Sequence, residues 1–258
     1  MTTPFQAMLQ GKRPTVLTEV DQQRGFYLIP EHAPQGAAGQ AALAGKPLRN
    51  PAGDQYLFRF GMTIVPVTPP NQRAVLVLMM NPGSAGKQVG AATISADNTV
   101  KRLYRQLGPE FGRIITVNTM PFYDSASQHL RQTIRTLADE AGITPANWSQ
   151  ANVSSIQAIL TQLNAQGEDV DILLGTGNLQ SYNRAEFGKI MRALTPDQRA
   201  NHLYAGKILK SGDSAHLNPQ GPLFDFGQEN WLPVRLVPTR VGRSASFHVA
   251  PKEGSTHG

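Results

Sequence analysis

The chain has 258 residues, 40% hydrophobic and 16% charged, with no cysteine, a formal charge of +6 and a pI near 9.7. That length allows one α/β domain with an extension and a sizeable core. The missing cysteines exclude disulfides, a thiolate nucleophile, cysteine-ligated zinc and iron–sulfur clusters. No apolar run approaches the ~20 residues of a membrane-spanning helix. The basic balance favours an acidic partner such as nucleic acid and says nothing of fold. The opening "MTTPFQAMLQGKRPT" lacks a charged-then-apolar leader pattern, so the cytoplasm is the expected location.

Residues 1–54, rich in Gly, Ala and Pro around "PEHAPQGAAGQAALAGKPLRNPAGD", are expected to form an irregular N-terminal arm. "QYLFRFGMTIVPV" (55–67) alternates well enough for one or two strands interrupted at Gly61. "AVLVLMM", from residue 74, is a continuous apolar run, as expected of a strand buried on both faces of a parallel sheet. "ADNTVKRLYRQLG" reads as a helix with Val100, Leu103, Tyr104 and Leu107 inward. Asp97 is its N-cap, Gly108 its end, and Lys101, Arg102 and Arg105 form its basic outer face. "RIITVN" (113–118) is a second strand. Two helices follow, one with Leu130, Ile134 and Leu137 inward, the next starting at Thr144-Pro145 with Trp148, Ile156, Leu160 and Leu163 inward. "VDILLG" is a third strand, and "LQSYNRAEFGKIMRAL" a helix with Tyr182, Ile190, Met191 and Leu194 inward. "HLYAGKIL" (202–209) is a fourth strand or part of a hairpin. This alternation predicts a single α/β domain over 55–240. Its architecture is a three-layer sandwich whose central, mostly parallel four-stranded sheet is flanked by helices, with an N-terminal extension. Residues 241–258 are expected to be a flexible tail.

Ligands of open α/β sheets bind outside the carboxyl ends of the strands. Here those ends deliver Asn81-Pro82-Gly83, then Asn118, then Gly175 to Asn178 in "GTGN", and beyond the fourth strand His216 and Asn218 in "HLNPQG". "NPGSAGK" has the outline of a phosphate loop. However, Asn81 stands where that motif needs its first Gly and Gln88 where it needs a hydroxyl, so two of four positions fail. An amide offers both a donor and acceptors, which suits a planar group of mixed polarity such as a nucleobase. Each Asn-Pro or Gly-rich dipeptide taken singly is ordinary turn chemistry. Their convergence at one sheet edge is what points to a site. No carboxylate pair or Ser–His–Asp set accompanies them, and His202, His216 and His248 lack metal-ligand spacing, so neither a metal nor a cofactor is expected.

"MMNPGSAG", "ADNTVKRL", "RIITVNTMPFYDS", "VDILLGTGN" and "HLNP", in this order, resemble the bacterial family called domain of unknown function 1643 over about residues 55–220. Asp97, Thr99 and Arg102 match its helix start. More distantly, "NPG" at 81–83 and "NPQG" at 218–221 are similar to motifs of the uracil-DNA glycosylase superfamily. That likeness implies a hydrolase of N-glycosidic bonds in DNA. By position it makes Asn81 the residue that orients water and Asn118 the reader of the flipped base. His216 or Asn218 then attends the leaving base. Pro82, Gly83, Gly175 and Asn178 would shape the pocket, Phe122 or Tyr123 would stack on the base, and Lys87, Lys101, Arg102 and Arg105 would meet the nucleic-acid backbone. The residues also admit a non-catalytic nucleic-acid-binding module, or a small-molecule enzyme acting on nucleotides or sugars.

Overall fold

The apolar run read as a doubly buried strand lies at the centre of a sheet. The computed structural model describes residues 25–47, 58–83, 85, 88–90, 93–94, 96–123, 130–218, 223–242 and 244–254. In chain order these form β1 (Phe26–Glu31), α1 (Gly36–Ala42), β2 (Gly61–Pro66), β3 (Ala74–Met79), β4 (Gln88–Gly90) and β5 (Thr93–Ile94). Next come α2 (Asn98–Leu107), β6 (Arg113–Asn118), α3 (Leu130–Ala141), α4 (Pro145–Ala165), β7 (Asp171–Gly175) and α5 (Ser181–Ala193). The chain continues with α6 (Pro196–Asn201), β8 (Leu203–Ala205), β9 (Leu232–Val241) and β10 (Ser244–Pro251).

Eight strands make one mixed sheet in the order β1-β2-β6-β3-β7-β8-β9-β10, and β4 and β5 pair separately. β6, β3, β7 and β8 run parallel, while β1 and β2 on one side and β9 and β10 on the other are antiparallel additions. Every residue of β3 is buried, and period-2 alternation sends successive side chains to opposite faces. Leu76 and Leu78 join Val117, Ile156, Leu160, Ile190 and Met191 under α4 and α5. Val75, Val77 and Met79 join Val100, Leu103 and Leu107 of α2, with Phe111 and Trp231. A third cluster, around Phe58, Phe60, Phe122, Leu137 and Trp148, fills the space under α3.

Local chemistry sets the helix starts. The Asp97 carboxylate accepts from the Val100 N–H at 2.9 Å, and Pro145 opens α4 where a missing N–H is harmless. Among the described residues no helix is long and apolar enough to cross a membrane.

Three expectations change. The sheet is eight-stranded, the predicted parallel four-stranded array being its core. The arm predicted to be irregular supplies β1 and α1, and the predicted tail supplies β10, which pairs along β9 from Ser244 to Pro251. Edge strands carry weak patterns because propensity there depends on the packing of neighbouring strands, which no local periodicity encodes. Residues 1–24, 48–54 and 255–258 of the arm and tail lie outside the described residues. Tyr182, placed inward from its spacing, is 53% exposed, and Phe187 fills the inner face of α5 instead.

Because β3 supports both halves of the core, Leu76→Ala is expected to cost about 2–5 kcal/mol of stability, the range for large-to-small changes in a packed interior. Chemical denaturation at constant m-value checks this.

Candidate functional site

β3 precedes the other parallel strands in sequence yet lies between β6 and β7, so the chain leaves its carboxyl end toward one side and later returns on the other. Such a switch point opens a crevice. Register places Met79 opposite both Asn118 and Gly175. Alternation turns all three toward the α2 face, where Ile114, Met79 and Leu173 already pack. The loop carrying His216, Leu217 and Asn218 closes over this row. A Cβ at Gly175 would lie 2.5 Å from Leu217 Cγ, and one at Gly177 would lie 3.3 Å from His216 Cβ and 3.6 Å from Met80 Cε. Glycine in "GTG" therefore permits loop-to-strand contact, not phosphate binding.

The first turns of α2 tie these loops together. Asp97, besides capping the helix, accepts from the Ala85 N–H at 3.3 Å, and a Cβ at Gly83 would fall 2.5 Å from its Oδ2. The Thr99 hydroxyl meets the Asn218 side-chain amide at 3.4 Å. Arg102 donates to the Phe224 carbonyl, its guanidinium stacked near the rings of Phe224 and Phe226. Asp97 thus holds the turn after β3, and Thr99 and Arg102 hold two points of the β8–β9 connection.

Asn118 is 1% exposed, and neither its side-chain nitrogen nor its side-chain oxygen has a partner. Its backbone carbonyl is satisfied by the Asn152 side chain at 2.9 Å. An unpaired buried amide is costly and rare enough to mark a site that a ligand completes. His216 is half-buried, and desolvation pulls its pKa below the ordinary 6.5. The Asn218 N–H donates to Nδ1 at 3.1 Å, so the neutral ring carries its proton on Nε2. The residue is therefore built as a neutral donor.

Arg59 joins this corner without any sequence signal, since it sits in "LFRFG" among strand-forming residues. It is fully buried, donates to the Ala85 carbonyl at 2.5 Å, and lies 5.4 Å from the centre of the Tyr123 ring. Burial lowers the Arg59 pKa and raises that of Tyr123. Arginine nonetheless keeps its proton in proteins, so the pair is guanidinium and phenol near neutrality.

Of the sequence-derived residues, Pro82 is buried, Asn81 and Gly83 are half-buried beside Asp97, and Asn178 is exposed at the rim. Phe122 is not a stacking surface. It is 1% exposed and packs against Phe58 at 5.4 Å and Trp148 at 4.9 Å, because the turn after β6 drives it under α3. Tyr123 is half-buried, with Arg59 and His32 against its ring. Arg102 leaves the basic outer face, since its stem lies across the Phe224–Phe226 pair. Arg105 is exposed and Lys101 half-buried. Lys87 lies outside the described residues.

At the opposite edge a cavity of about 300 Å³ is lined by Gln72, Arg73, Arg113, Gln166 and Glu168 and spanned by the Arg113–Glu168 ion pair. Among the described residues no cluster of three or more His, Asp or Glu could hold a metal ion. No protein-family model and no curated protein sequence matches this chain.

The neutral form of His216 is favoured in the folded state. Stability is therefore complete above 6.5 and is lost as pH falls from there through the lowered value. The ring is expected to titrate by NMR with a midpoint below 6.5. The native protein should also lose more stability over that window than His216→Gln.

Proposed function

We propose that the carboxyl-edge crevice binds a nucleobase-type heterocycle and that the chain hydrolyses N-glycosidic bonds in DNA, in the manner of the uracil-DNA glycosylase superfamily. The observation that carries this reading is the Asn118 amide, buried with both polar atoms unpaired on the strand-end row with Met79 and Gly175. An unpaired amide is the complement of a base edge that offers one donor and one acceptor. The parallel core with helices on both faces is consistent with a glycosylase-like sandwich.

Cleavage of the bond between sugar and base leaves oxocarbenium character on the sugar and negative charge on the base. Asn81, at the turn after β3, orients the attacking water. Asn118 fixes the base by its edge. His216 donates from Nε2 to an oxygen of the departing base, a role suited to a donor preorganised in a low-dielectric site. Leu223, 66% exposed on the segment that follows "NPQG", has the character of an apolar wedge that holds a duplex open where a base has left the stack. Arg105 and Lys101 on α2 are placed to meet phosphates.

One observation favours a second reading. Asp97 lies against the Gly83–Ala85 side of the Asn81 turn, and both its oxygens already accept backbone N–H groups, which withdraws this carboxylate from water activation. That suits a non-catalytic module that reads nucleic acid with the same crevice.

Incubation with duplexes containing uracil or mismatches is expected to yield abasic sites. Asn81→Ala should lower turnover by about 10²-fold with binding retained, as for the loss of one transition-state donor. Asn118→Ala should weaken base binding itself. Salt-sensitive binding without abasic sites would favour the second reading. Neither cleavage nor binding on any duplex would end the proposal.

A further inference from the structure

Two arginines of this fold meet a carboxylate, Arg113 pairing with Glu168 and Arg184 with Asp213 at 2.7 Å, while the buried Arg102 rests on the Phe224 carbonyl and the Phe224 and Phe226 rings. Arg59 is 1% exposed, and among the described residues no carboxylate lies within ion-pair distance of it. Among the described residues its guanidinium touches the Ala85 carbonyl, the Met62 sulfur at 3.7 Å and Tyr123, by ring contact and side-chain hydrogen bond, and its Nε–H has no partner there. Asp97 attracts it through space, but that carboxylate is committed to Val100 and Ala85. An uncompensated buried charge costs several kcal/mol. Nothing in the packing around Arg59 requires one, for its neighbours Met62 and Ala85 belong to an apolar cluster.

Position gives the charge a use. The Arg59 N–H is anchored to the Pro121 carbonyl at 2.7 Å, and Met62 stands opposite Thr116, two residues before Asn118 on the same face of β6. The free Nε–H and the free Asn118 amide therefore share one corner of the crevice, with the Gly83–Ala85 turn beside them. Resting on the reading of the crevice as a heterocycle site, we infer that Arg59 is a ligand-contacting residue. Its guanidinium takes a negatively charged oxygen of the bound ring, so that the crevice selects oxo-heterocycles that bind or depart as anions. A charge-assisted hydrogen bond is shorter and about twice as strong as a neutral one, and the low local dielectric strengthens it further.

Calorimetric titration of the full chain tests this with two probes of nearly equal shape: barbituric acid, an anion at neutral pH, and uracil, which is neutral. The native protein is expected to bind barbiturate at least about tenfold more tightly, the factor one charge-assisted hydrogen bond supplies. Arg59→Met should erase that preference, leave uracil binding in place and raise the thermal midpoint, since an unpaired buried charge gives way to an apolar chain of similar length. Arg59→Lys, which keeps the charge, should retain a preference for the anion. Equal affinities for both probes in the native protein would overturn the inference and leave the crevice reading standing. Failure of both probes to bind would overturn the two together. An Arg59→Met protein that is less stable, or does not fold, would make Arg59 structural and also overturn the inference.

Discussion

β3 exchanges backbone hydrogen bonds with a parallel neighbour on each edge, and that double pairing governs the rest of the molecule. A parallel partner must return by a crossover, so β6 and β7 each bring helices to pack on the sheet. Because β3 comes first in the chain but lies between them, the crossovers leave in opposite directions. The crevice is a consequence of that order. So is its lining, since once Val77 lies opposite Thr116 and Leu173, Asn118 and Gly175 are carried to the same rim two residues later. No separate device is needed to bring the two loops together.

A second level of organisation lies in α2. Its helical stripe of Val100, Leu103 and Leu107 docks on the sheet, as amphipathic spacing requires. The residues between those anchors do something a solvated face would not. Asp97 reaches the turn after β3, while Thr99 and Arg102 reach two points of the long β8–β9 connection, remote from that turn in the chain. A rigid helix start therefore sets the distances across the crevice, so loops with few backbone hydrogen bonds of their own hold a defined shape. Residues on regular elements fix a site more tightly than residues on loops alone.

Polar satisfaction is uneven in an informative way. Under α5 the polar groups are mostly paired: Asp213 takes Arg184 and the Leu179 N–H, and Glu186 takes Ser149 and Lys189, whereas single atoms of Trp148, Asn152, Glu168 and Asn183 go without a partner among the described residues. At the carboxyl corner of β6, the Arg59 Nε and both polar atoms of the Asn118 side chain are left open. Departures from local consistency gather where function demands them. This corner is also where the strand-end rule places a ligand site.

The parallel core, the order of its helices and the turns that border the crevice were legible in the residues. Continuous apolar strands, 3.6-residue stripes, Asp97 and Thr144-Pro145 at helix starts and the Gly or Asn-Pro strand ends all act over a few positions. Local pattern is therefore enough to read them. What lay beyond such reading depends on partners far along the chain. β1 is a strand because β2, beyond α1 in the chain, offers it an edge. Phe122 is core because α3 and α4 fold over it, and Arg102 is buried because Phe224, over a hundred residues later, lies across it. Arg59 shows the limit most clearly. Nothing within "LFRFG" separates a solvated arginine from a buried, unpaired one, because burial and charge compensation are sums over three-dimensional neighbours rather than properties of a segment.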